Sequence, residues 1–117
     1  MGTYNSIQEI KDRVDAEGGV SSFRMGDVRD AHGAGRLGVH VRTNISKALR
    51  GMGLGHYPQE LPDWQENQVR IYKLGSPVAD LIEGVLVPGV DGDEVIRQSV
   101  SGDAEQVLDQ VRELVCL

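Results

Sequence analysis

Apolar residues recur at helical spacing along most of this chain, with one stretch that alternates as a strand does and turn residues between the runs. Ile7, Ile10 and Val14 form the first run, behind Ser6 and Glu9 in a capping-box pattern, and Gly18-Gly19 stops it. This predicts a first helix. Val20 to Phe23 predicts a small strand or an extended linker. Met25 to His32 predicts a short second helix with Val28 and Ala31 facing inward, against the cost of Gly26 in its interior.

Residues 32–38 hold glycine at 33, 35 and 38, which predicts a turn between two helices. Leu37, Val41, Ile45, Leu49 and Met52 then follow a spacing of about four, one apolar stripe down a third helix ending at Gly51 or Gly53. The stretch GHYPQELPDWQENQ at 55–68 is polar and carries two prolines, and Val69 to Lys73 alternates, so the pair predicts a hairpin-like wing. Ser76-Pro77 places an N-cap before proline at the first helical position, and Val78, Leu81, Ile82 and Val85 give a fourth helix its inward face, closed by Pro88-Gly89. From Gly92 onward, Val95 and Ile96 and then Val107, Leu108, Val111, Leu114 and Val115 keep a helical period in an acidic tail, with a break at Ser101-Gly102.

The order helix, short extended piece, helix, glycine turn, helix, strand pair and helix resembles the winged helix-turn-helix superfamily. The residues that carry the resemblance are Val28-Arg29-Asp30, Gly35-Arg36-Leu37-Gly38, Ile45, Leu49, Gly53-Leu54, Pro58 and Val69-Arg70-Ile71-Tyr72. They look like the modules of bacterial regulators and defence-associated proteins, over roughly residues 5–85. The resemblance implies a mainly α fold with a small β-wing at 1–88, followed by an acidic, amphipathic helical tail at 89–117. The long proline-bearing connection and the acidic tail depart from a familiar regulator.

Composition sets the class. With 117 residues the chain is long enough for one domain and too short for two full ones. There is no run of eighteen apolar residues, and the N-terminal stretch lacks a basic region followed by an apolar run, so the expected location is cytoplasmic, with no membrane partner. Cys116 is the single cysteine, which excludes an internal disulfide and a cysteine-based zinc site. The net charge of -6 argues against a protein that coats nucleic acid without specificity.

Charge is nonetheless unevenly spread. Residues 22–50 carry six basic residues against Asp27 and Asp30, a local charge of +4, so the rest of the chain carries -10. Arg36, His40, Thr43, Lys47 and Arg50 fall three or four apart, one stripe opposite the apolar face of the third helix. A recognition helix needs such a stripe: Arg and Lys meet phosphates or guanine edges, Asn44 beside it reads adenine, and neutral His40 donates or accepts. The bland alternative is a solvated helix face. Arg42, on the same helix, completes the candidate set. Arg70 and Lys73 on the wing strand would add backbone contacts, although exposed strands commonly carry such residues for solubility.

Trp64 and Tyr57 lie in the connection after the third helix, where they could anchor a partner, but a lone tryptophan in a small domain ordinarily covers its own core. His32, His40 and His56 match no metal-ligand spacing and are expected as satisfied surface histidines. Gly33 to Gly38 fits a G-x-G-x-x-G count without a convincing preceding strand, a weak signal. Ser21, Ser22, Ser46 and Cys116 have no general base placed by motif, so no enzyme and no cofactor is expected.

The leading expectation is therefore a bacterial, sequence-specific regulator that inserts the helix at residues 37–51 into the major groove of double-stranded DNA. Its tail helix would pair in a homodimer. The alternative is a protein-interaction adaptor that docks through its acidic surface and tail, with DNA mimicry as a remote variant.

Overall fold

The computed structural model describes residues 4–100. The elements run α1 (Ile7–Ala16), β1 (Val20–Arg24), α2 (Met25–His32), α3 (Val39–Gly51), β2 (Leu54–Tyr57), β3 (Gln68–Lys73), α4 (Pro77–Leu86) and α5 (Val90–Ser99). The three strands form one antiparallel sheet of order β1-β3-β2. By contacts the chain divides into two units, Met1–Ala79 and Asp80–Leu117, and the division falls inside α4. The expected break at Ser101-Gly102 and the expected tail helix from Val107 to Val115 lie outside the described residues.

Local chemistry sets the boundaries. Ser6 caps α1 by accepting from the Glu9 backbone N–H at 3.3 Å, and the Glu9 carboxylate reaches back to the Asn5 N–H, so two orphan donors are satisfied. Helix α2 ends on Gly33 at φ 84°, the left-handed conformation that glycine adopts without a Cβ penalty. Ser76 opens α4 by accepting from the Ala79 N–H at 3.2 Å while donating to the Lys73 carbonyl.

The core of the first unit is shared by every element before α4. Ile10 and Val14 of α1, Met25 and Val28 of α2, Ile45 and Leu49 of α3, Leu54 of β2 and Val69 and Ile71 of β3 are fully buried together. At about 1.5–3 kcal/mol for each large apolar side chain, this burial is the main favourable contribution to the unit. Leu37, Val41 and Met52, expected on the apolar stripe of the third helix, pack partly buried against it. Gly26 stands inside α2 because the chain crosses there: a Cβ would lie 3.2 Å from the Gln65 Cβ and 3.3 Å from its carbonyl, which accepts the Gly26 N–H.

Strand β3 is the middle strand of the sheet. Its Val69 and Ile71 face the core, whereas Arg70 shares the opposite face with its cross-strand partners Ser22 and Tyr57. On that opposite face the Tyr72 ring lies over Gly55, where a Cβ would stand 2.7 Å from the ring. At the open end of the first helix, Tyr4 and Phe23 meet edge to face with centroids 5.4 Å apart, and the Arg13 guanidinium lies over both rings. Arg13 also pairs with Glu17 at 2.7 Å and donates to the Tyr4 hydroxyl. Within the second unit, Gly84 of α4 and Gly92 of α5 approach so closely that a Cβ on Gly92 would stand 2.9 Å from the Gly84 Cα. Val85, expected on the inward face of α4, is instead exposed, as are Val87 and Val90.

Two outcomes follow from these contacts. Gly55→Ala is expected to cost about 1–3 kcal/mol through overpacking against the Tyr72 ring, whereas Gly35→Ala, with open space around it, changes stability little; chemical denaturation of both variants checks the contrast. The Glu17 carboxylate is held below its ordinary range, first by the Arg13 side chain and then by the Ser21 hydroxyl. A carboxylate lowered in the folded state contributes stability above its unfolded pKa, near 4.3, and loses it as pH falls through the folded value. Carboxyl-carbon NMR titration should therefore find Glu17 protonating below an isolated glutamate, with Arg13→Ala moving it back up.

Candidate functional site

Helix α3 presents two kinds of surface. Ile45 and Leu49 turn into the core, and His40, Thr43, Asn44, Lys47 and Arg50 are exposed on the other side. Arg36 is also exposed, on the turn just before the helix. His40, Thr43, Lys47 and Arg50 thus share one face of the helix, whereas Arg36, expected on the same helical stripe, precedes it because α3 starts at Val39. The Thr43 hydroxyl donates to the Val39 carbonyl at 2.9 Å, four residues back along the helix.

Arg42 behaves differently from its neighbours. Its Nε donates to the Leu37 carbonyl and its Nη1 to the Leu61 carbonyl, both at 3.1 Å, so the half-buried guanidinium ties the start of α3 to the long connection between β2 and β3. It is placed as a brace rather than as a free contact. Ser46 does similar work one turn further on. The Pro58 carbonyl can only accept, so the His56 Nδ1 at 2.8 Å carries the proton, and in the neutral ring Nε2 accepts from the Ser46 hydroxyl at 2.9 Å. This chain joins α3, β2 and the connection. Sequence spacing gave Ser46 no base, because the partner comes from a strand that only the fold brings alongside.

The remaining two expected contacts lie elsewhere. Arg70 projects from the face of the sheet opposite the core that α3 helps to fill, and Lys73 is drawn to Asp15 of α1 at 3.7 Å. The structure does not bring either to the α3 stripe.

Charge pairing separates these cations further. Lys11, Arg13, Arg24, Arg29, Lys73 and Arg97 each have a carboxylate within 4.0 Å. Among the described residues, Arg36, Arg42, Lys47, Arg50 and Arg70 have none; Arg42 is taken up by two backbone carbonyls, and of the other four, Arg36, Lys47 and Arg50 flank or belong to the outer face of α3.

The connection at residues 58–67 is an ordered loop folded back on the domain. Leu61 is buried in the core, the Gln65 carbonyl accepts from Gly26 N–H at 2.9 Å, and the Asn67 carbonyl accepts from Met25 N–H at 2.8 Å. Arg29 holds the Gln65 side chain at 3.1 Å, and Arg24 reaches Glu66 at 3.4 Å. Trp64, expected to cover the core, is instead 57% exposed, because Leu61 fills the interior position the loop offers. Between the loop and α3 lies an open cavity of about 380 Å³ bordered by Val39, Thr43, Ser46, Gln59 and Glu60.

Among the described residues, no group of three or more His, Cys, Asp and Glu is placed to hold a metal ion, and no helix is long and apolar enough to cross a membrane. Compared with family models, with curated proteins and with solved structures, the chain matches none of them.

The two roles within α3 separate experimentally. Arg42→Ala leaves the Leu61 and Leu37 carbonyls without their donor and is expected to cost about 1–3 kcal/mol. Lys47→Ala, which removes a solvated side chain, should stay within about 0.5 kcal/mol, as read by urea denaturation.

Proposed function

We propose that this chain is a winged helix-turn-helix DNA-binding protein, a sequence-specific regulator that lays α3 in the major groove of double-stranded DNA. The observation that carries the reading is the set of cations at the outer face of α3 that, among the described residues, have no carboxylate partner, whereas the other described basic residues are mostly paired. Unpaired cations are the ones free to displace counterions from phosphates. The element order and the β1-β3-β2 sheet support it, since a helix followed by a glycine turn and a second helix, backed by a strand pair, is the framework such proteins use.

Residue roles follow from placement. Arg36, Lys47 and Arg50 meet phosphates or guanine edges, while His40, Thr43 and Asn44 between them reach base edges. Arg42 holds the helix in position. The positive N-terminal end of α3, at Gly38 and Val39, adds to the attraction for the backbone. Arg70 and Lys73 are left to the margin of the contact, and the wing loop contributes through its fixed packing against α3.

A protein-partner role has one observation in its favour. Val85, Val87 and Val90 are exposed within six residues of sequence, and Val87 and Val90 border one surface recess with Asp80, Glu83 and Asp91, an apolar and acidic setting that suits a docking site better than a DNA contact.

Replacing Arg36, Lys47 and Arg50 together by alanine is expected to weaken duplex binding and to reduce the slope of log affinity against log salt by roughly 2–3, with melting temperature little changed. Fluorescence anisotropy on a random duplex pool at two salt concentrations measures this. Unchanged affinity in the triple variant removes the DNA reading, and retained partner capture in that variant, lost on Val87→Asp, favours the adaptor.

A further inference from the structure

Beside the turn between α2 and α3 lies a recess of about 270 Å³ bordered by Arg29, Arg36, Leu37, Asp63, Trp64 and Gln65. We propose that this recess seats one unstacked guanine base, with the indole of Trp64 as its stacking surface, Asp63 on its Watson–Crick edge and Arg36 on its phosphate.

The polar groups of the recess divide into used and unused. Arg29 is paired with Asp30 at 3.1 Å and its Nη1 donates to the Gln65 side-chain oxygen, so these two side chains are tied to partners within the fold. Arg36 and Asp63 border the same recess with opposite charges, yet neither has an ion pair within 4.0 Å or a side-chain hydrogen bond among the described residues. An anion-seeking and a donor-seeking group thus stand open in the same recess as an exposed indole.

Trp64 is not exposed through looseness. Its carbonyl accepts from Asn67 N–H at 3.1 Å, and the loop is fastened on both sides of it, at Leu61 through Arg42 and at Gln65 and Asn67 through the α2 N-terminus. A ring held out by a braced loop loses little freedom when a flat ligand covers it. The chemistry of the open groups then selects the ligand. Splayed-out bases are recognised by stacking on aromatic side chains and by hydrogen bonds to their Watson–Crick edges. A carboxylate only accepts, and guanine offers two adjacent N–H donors on that edge, whereas adenine sets a ring-nitrogen acceptor against it. The recess falls below the range of about 300–1,000 Å³ for drug-sized ligands, which suits one base and not an extended molecule.

Such a base comes either from a free nucleotide or from the unpaired end of a strand. In the second case the seat rests on the DNA reading given for α3 and adds a preference for an overhanging guanine. Trp64 is the only tryptophan, so its fluorescence reports the seat directly. Titration with GMP and with AMP is run beside anisotropy on blunt duplexes and on duplexes bearing one overhanging dG or dA.

Quenching by GMP over AMP supports the seat for the free nucleotide. A preference for the dG overhang, reduced about 5- to 150-fold in Trp64→Ala, kept in Trp64→Phe and abolished in Asp63→Asn, supports it for a strand end. Equal response to guanine and adenine in both formats overturns the proposal. Blunt-duplex binding that persists in that case leaves the reading of α3 standing, and GMP quenching without any duplex binding removes that reading while keeping the seat.

Discussion

The long connection between β2 and β3 must satisfy its own backbone once it leaves solvent, and the rest of the first unit is arranged around that requirement. A polar ten-residue stretch cannot bury itself, because each carbonyl taken from water without a donor costs on the order of 1–3 kcal/mol. Here the donors come from three directions: the Arg42 guanidinium to Leu61, and the Gly26 and Met25 N–H groups to Gln65 and Asn67. The two backbone donors belong to the first turn of α2, where N–H groups have no intrahelical partner. One set of bonds thereby completes a helix terminus and fixes a loop, and Leu61 adds the apolar anchor that holds the loop in place.

That arrangement sorts the basic residues by use. Arg42 is consumed inward, as a two-point brace, Arg24 and Arg29 reach Glu66 and Gln65 of the loop, and Arg29 also pairs with Asp30 of its own helix. What remains on the outer side of α3 is unpaired charge. A net charge of -6 does not cancel it, since exposed charges more than about 8 Å away are largely screened at physiological salt. The acidic balance instead limits indiscriminate attraction to polyanions, which leaves geometry on one face to decide binding.

Much of this could be read from the chain, and the rest was hidden for a physical reason. Periodicity reports how an element faces its own core, so α1, α2 and the buried stripe of Ile45 and Leu49 were legible, with Ser6 and Gly33 marking ends. Periodicity does not report which distant partner occupies a polar side chain. Arg42 looked like its neighbours on α3 because the carbonyl it serves is nineteen residues away. Lys73 looked free because Asp15 lies on a helix near the other end of the chain. Ser46 and His56 match no motif, and only the placement of β2 beside α3 joins them. Val85 fitted the helical period of α4 and is nonetheless exposed, since a period alone cannot say whether a partner surface exists for it.

The choice between Leu61 and Trp64 is the most informative departure. Both lie on one loop three residues apart, and tryptophan brings the larger apolar surface, so stability alone favours burying the indole and exposing the leucine. The structure does the reverse, with Leu61 at 3% exposure and Trp64 at 57%. The loop is braced at both flanks of Trp64, so the exposure is imposed by the same bonds that hold the fold together. Local preferences and the global fold agree almost everywhere in a foldable sequence, and the places where they disagree concentrate at sites of function. Trp64 is such a place in the first unit, and it borders the same recess as Arg36, the cation just before α3.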